Sequence, residues 1–146
     1  MRTAAVVIAA CAAVAAASAG TAVAGRSADD RAAVVAVLQR EVSALNAARW
    51  QLAWQLYSPR FRATCDYAKW RAASAQGHAQ APEIAVRVLR VRLAGNHAYL
   101  TYRMSGSFGT RTTTDDVYVK VGGKWYDELD ASTGPCFKRS ASGPIA

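Results

Sequence analysis

Val34, Val35, Leu38, Val42 and Leu45 recur at spacings of three and four, which predicts an amphipathic helix running to about Ala48. Ser27, Asp29 or Asp30 is placed to cap its start. A second helical segment covers Trp50 to Tyr57, with Trp50, Ala53, Trp54 and Tyr57 on one stripe, and Ser58-Pro59 stops it. A third runs from Cys65 or Asp66 to Ser74 and buries Tyr67 and Trp70; Gln76 to Glu83 reads as a linker.

From Ile84 onward the period changes to two. Ile84, Val86 and Val88 alternate, then Leu89, Val91 and Leu93 take over one residue out of phase, which predicts a β-bulge near Val88-Leu89. Gly95-Asn96 turns the chain into Ala98–Ser105, and Gly106 to Gly109 turns it into Thr110–Val121. Gly122-Gly123 is a strong hairpin signal returning through Lys124 to Asp130. The layout is α+β, with N-terminal helices packed on a bent antiparallel sheet of about four strands.

The turns set a register: Val121 beside Lys124, Val119 beside Tyr126, Ser105 beside Thr110, Tyr102 beside Thr113 and Leu100 beside Asp115. One face then holds Ala98, Leu100, Tyr102, Met104, Asp115, Val117, Val119, Tyr126 and Glu128, and is expected to meet the helices. The other holds Tyr99, Thr101, Arg103, Asp116, Tyr118, Lys120, Trp125 and Asp127. A slip of one residue would exchange the two sets.

Composition changes this picture mainly at the N-terminus. Arg2 precedes an uncharged apolar run from Ala4 to Ala19, and Ala17-Ser18-Ala19 and Ala22-Val23-Ala24 both fit a signal-peptidase site. Residues 1–24 are expected to be a signal peptide cut before Gly25, leaving residues 25–146 as one domain with a flexible C-terminal tail. The expected location is secreted or extracytoplasmic, in the cell envelope. Thr3 to Ala24 is also long enough to span a bilayer, so an uncleaved leader is the one route to the membrane. Ile8-Ala9-Ala10-Cys11 loosely resembles a lipoprotein box; Cys11 is read as part of the leader. The net charge of +8 falls to +7 without Arg2. Export argues against nucleic acid, and the arginines are scattered, so the charge reads as a solvated surface. Cys65 and Cys136 then remain as a pair in an oxidising compartment and are expected to form one disulfide. It would close a loop of about 70 residues and stabilise the fold by roughly 4 kcal/mol.

Val35 to Asn46 with Ala48-Arg49-Trp50, then Leu56-Tyr57-Ser58-Pro59-Arg60-Phe61-Arg62, and finally Thr114 to Tyr126, resemble the nuclear transport factor 2-like superfamily. That superfamily is the cone-shaped, cystatin-like fold of SnoaL-like cyclases and ketosteroid isomerases, and the chain is similar in style to its small exported actinobacterial members. The resemblance implies a bent sheet wrapped around a long first helix, a pocket opening into the cone, and homodimers through the sheet. No local motif matches the isomerase catalytic motif residue by residue, so no catalytic role is carried across.

The candidate pocket residues are Tyr102, Asp115, Tyr126 and Glu128, the polar groups expected on the inner face. A carboxylate in an apolar cavity with a tyrosine donor supplies the parts of an enolising site. Tyr99, Tyr118 and Trp125 form an aromatic stripe on the expected outer face and are the candidate interface. Asp115, Asp116, Asp127, Glu128 and Asp130 cluster in sequence, but strand alternation separates them and no calcium loop is present. His78 and His97 have no partner at ligand spacing, so no metal and no cofactor are expected. The expected role is binding of a small apolar ligand in the cone or of a protein partner on the sheet. The competing readings are an isomerase- or cyclase-like enzyme using a pocket carboxylate and tyrosine, and a basic module of the cell envelope.

Overall fold

The computed structural model describes residues 17–129. Four helices, α1 (Ala17–Asn46), α2 (Trp50–Leu56), α3 (Pro59–Thr64) and α4 (Tyr67–Gln80), precede four strands, β1 (Ala85–Ala94), β2 (His97–Gly106), β3 (Gly109–Val121) and β4 (Lys124–Asp127). The strands pair antiparallel in the order of the chain. Most of the expected leader, and Cys136 with the expected tail, lie outside the described residues.

Helix α1 begins at Ala17, upstream of the expected caps; alanines favour the helix there and no proline interrupts it, despite Gly20 and Gly25. Asp30 therefore lies inside the helix. It accepts from Lys120 Nζ at 2.6 Å and Trp125 Nε1 at 3.0 Å, pinning α1 to the last hairpin. Those bonds hold the Asp30 carboxyl below its ordinary range. Ser58-Pro59 both ends α2 and starts α3, a helix the periodicity did not show. Ser58 is extended, as a residue before proline must be, and that is N-cap geometry: its Oγ accepts from Phe61 N at 3.0 Å with Pro59 in the first turn. The third predicted helix is α4, capped by Asp66 on Lys69 N. It continues through Gly77 to Gln80, so His78 lies in its last turn, edge-on to Trp50 at 5.6 Å, and the linker shortens.

Two apolar clusters form the core. Among the helices, Trp54 packs on Tyr57, Phe61, Tyr67 and Trp70, with Cys65 buried in the same cluster. Under the sheet, Val34, Val37 and Leu38 of α1 pack on Ala98, Leu100, Tyr118 and Trp125.

Register sorts the faces, and two bulges set it. The expected one lies between Val88 and Arg90, leaving Leu89 as the extra, exposed residue and keeping Val91 and Leu93 against α1. A second lies in β3: Tyr102 faces Thr113 as expected, but Leu100 faces Asp116 rather than Asp115. Two residues, Thr114 and Asp115, thus oppose Thr101, and Asp115 takes the left-handed backbone conformation (φ 54°) that such a bulge needs. Beyond it every β3 side chain changes face. Asp116 and Tyr118 turn inward, joined by Trp125 and Asp127 of β4, while Val117, Val119 and Tyr126 turn outward. The last hairpin keeps its expected pairing of Val121 with Lys124.

Asn46 closes the fold at the end of α1. Its Nδ2 donates to Ile84 O at 2.8 Å and its Oδ1 accepts from Ile84 N at 3.0 Å, fixing the start of the sheet to the helix. Asn46→Ala removes both bonds and is expected to lower unfolding free energy by about 1–3 kcal/mol. Chemical denaturation checks this; an unchanged midpoint would show that the clamp carries no stability.

Candidate functional site

The concave side of the sheet carries a buried polar cluster. Glu41 stands on the apolar stripe of α1, between Leu38 and Ala44, and is 7% exposed. The Tyr57 hydroxyl donates to its Oε1 at 2.7 Å. Asp127, 3% exposed, faces Glu41 closely enough for a side-chain hydrogen bond between them. Tyr118 is fully buried beside them, and the Tyr102 hydroxyl donates to Asp116 Oδ2 at 3.0 Å at the edge of the group. Among the described residues no Lys or Arg is paired with Glu41, Asp116 or Asp127.

Burial without a counter-cation decides the charge. Desolvation pushes the carboxyls of Glu41, Asp116 and, most strongly, Asp127 upward, and Asp127 is raised further by the charges of Glu41 and Asp116. The hydroxyls of Tyr57, Tyr102 and Tyr118 are raised as well, desolvation again leading. Among the described residues none donates to Glu41 Oε2 or Asp127 Oδ1. A proton held by one carboxyl and offered to the other satisfies both, as two acids that share a buried site require. The Tyr118 hydroxyl lies beside Asp116, whose carboxyl it helps to hold.

Tyr57 connects this cluster to the open end of the cone. It lines a cavity of about 510 Å³ with Leu45, Trp50, Ile84 and Phe108. Ser107 Oγ donates to Gln80 O at 2.9 Å and so ties the β2–β3 turn to the end of α4, closing the cavity's rim. Among the described residues no cluster of His, Cys, Asp or Glu is arranged to hold a metal ion, and no helix is long and apolar enough to cross a membrane.

No family model and no curated protein matches the sequence. Solved structures do match the fold. A nuclear transport factor 2-like protein of unknown function from Shewanella oneidensis superposes with a TM-score of 0.53 at 14% identity, over 67% of this chain and 93% of that one. A protein of unknown function from Mycobacterium tuberculosis gives 0.52 at 11% identity, over 84% and 80%. A protein from Rhodopseudomonas palustris described as containing a SEC-C motif gives 0.52 at 14% identity, over 64% and 73%. The fold is nuclear transport factor 2-like.

Within this nuclear transport factor 2-like cone, the sequence-derived candidates separate. Tyr102 joins the buried cluster. Asp115 does not: the bulge leaves it exposed on the convex side, 3.9 Å from Arg92. Tyr126 is half-buried on that side too, and Glu128 pairs with Arg60 in a shallow groove with His97 and Val119. Of the aromatic stripe, only Tyr99 is on the outer face, under the Arg92 guanidinium at 3.9 Å. Tyr118 and Trp125 are core residues, so they form no exposed interface. The residues missed are Glu41, Tyr57, Asp116 and Asp127. Periodicity held the clue for one of them, since Glu41 falls on the spacing of Val34, Leu38 and Leu45.

A carboxyl whose pKa is raised by folding binds its proton more tightly in the folded state. Its stabilisation is complete below the unfolded value, about 4 for Asp and Glu, and is lost as pH rises through the raised value. Unfolding free energy is therefore expected to fall from about pH 4 toward neutrality. Asp127→Asn should flatten that slope and raise stability at neutral pH by about 1 kcal/mol or more. Denaturant midpoints across this range check both; a profile that rises toward neutrality would contradict the assignment.

Proposed function

We propose that this protein is an exported small-molecule-binding domain that holds an apolar ligand in the open end of its cone. The observation that carries the reading is the 510 Å³ cavity walled by Leu45, Trp50, Tyr57, Ile84 and Phe108. That size lies within the range of about 300–1,000 Å³ typical of ligand sites, and apolar walls with a few polar groups are their usual chemistry. Export and cleavage before Gly25 are supported by the composition of the leader, and are compatible with α1, whose buried positions run from Val34 to Ala44. Pairing of Cys65 with Cys136 belongs to the same reading.

A second reading, proton transfer on the bound molecule, is favoured by the unpartnered oxygens of Glu41 and Asp127 behind Tyr57. Buried acids with shifted protonation next to a cavity are a common arrangement in active sites. Asp127→Asn separates the two readings, because it should spare binding in both and remove turnover only in the second.

Gly77 supplies the direct test of binding. It lines the cavity from α4, and a Cβ built on it meets no atom within 4 Å. Gly77→Phe is expected to place a ring in the cavity, weaken binding of the neutral dye Nile red at least tenfold, and leave stability equal or higher by about 0.5 kcal/mol. Dye fluorescence and thermal melting read the two effects. Undiminished dye binding in a folded variant would remove the cavity as the site.

A further inference from the structure

The charge distribution of the cavity is one-sided. Among the described residues, Arg111 is the only permanently charged side chain in its lining, and no carboxylate is among them. By register Arg111 lies opposite Met104, on the concave side with Tyr102 and Thr113. Its guanidinium sits over the Phe108 ring, 5.4 Å from the centroid, and has no acidic partner among the described residues. His78 lines the same space, its ring set edge-on to Trp50. The rest of the described lining is uncharged: Leu45, Trp50, Tyr57, Ile84 and Phe108 supply apolar and aromatic wall, with neutral polar groups from Asn46, Ser74, Gln80 and Ser107 between them.

From this geometry we infer that the cavity takes a monoanionic amphiphile, a carboxylic acid with an apolar chain or ring, with Arg111 as the anchor of its headgroup. The inference rests on the reading of the cavity as a binding site and adds the class of ligand. A planar guanidinium donates two parallel N–H···O bonds to a carboxylate, and the cation–π contact with Phe108 keeps Arg111 at the cavity. One cation matches one negative charge. A phosphate monoester carries nearly two at neutral pH, and among the described lining residues Arg111 is the one permanent cation. The body of the ligand then lies against Trp50, Leu45 and Ile84, where burial of apolar surface contributes independently of charge.

The test compares decanoate with 1-decanol, which share a chain and differ in the charged head, by calorimetric titration of the mature protein at low salt. Decanoate is expected to bind about tenfold more tightly. Arg111→Gln should abolish that preference while leaving decanol affinity unchanged. Arg103→Gln, which removes the same charge from an exposed position on the opposite face, should preserve it. Equal affinities for decanoate and decanol in the unsubstituted protein would overturn the anionic specificity and leave the cavity reading standing. A preference that survives Arg111→Gln would overturn the assignment of the anchor. Binding of neither compound, together with no binding of Nile red, would overturn the cavity reading itself and this inference with it.

Discussion

A glutamate in the middle of an apolar helix stripe constrains the whole domain. Among the described residues no cation pairs with Glu41, and an ionised carboxylate left alone there would cost several kcal/mol. The structure meets that demand with groups from distant parts of the chain. Tyr57, from the corner between α2 and α3, donates to it, and Asp127, from the end of β4, comes up against it. The same corner is fixed to the sheet, since Ser58 N donates to Asp127 O at 2.7 Å. The Tyr57–Glu41 bond therefore crosses the seam between the helical aromatic core and the core under the sheet. Moving any of these elements would leave buried polar atoms without partners, which is how a polar contact can specify one arrangement among many apolar ones.

The sheet reaches this seam because it is bent twice. Extra residues at Leu89 and at Thr114-Asp115 sharpen the local twist, and the second reverses which side of β3 faces α1. Without it, Val117, Val119, Tyr126 and Glu128 would face α1 in place of Asp116, Tyr118, Trp125 and Asp127. With it, Asp116 and Tyr118 face inward and the valines line the convex surface. One residue in left-handed conformation thus brings Asp116 and Asp127 to the side of the sheet that holds Glu41.

The difference between the two bulges explains how much of this was legible from the amino acids. Around Val88-Leu89 both flanks are apolar, so a shift of phase appears directly in the alternation. From Thr110 to Asp116 every residue is polar, and a polar stretch carries no hydrophobic phase from which a slip could be read. The turns, the strand count, the last hairpin and the helix-before-sheet order were legible because each is written in local signals. The inner and outer faces of β3 and β4 were not: Asp115 was expected inside where Asp116 lies, and Tyr118 and Trp125 were expected outside. Glu41 escaped for a different reason. Its residue type normally marks the solvent side of a helix, and only its tertiary partners make burial tolerable. Gly77 had a similar effect on α4, where a residue that usually weakens helices sits in one that nevertheless continues, with His78 resting against Trp50.

The central claim is that Glu41 and Asp127 form a buried acid pair that retains a proton well above the ordinary range of carboxyl groups. Carbon-detected NMR titration of their side-chain carboxyl signals measures this directly. Both signals are expected to report a deprotonation step above the usual values of about 3.5–4.3 for Asp and Glu. Completion of both titrations near pH 4 would contradict it, and would mean that the two groups are ionised together and solvated at neutral pH.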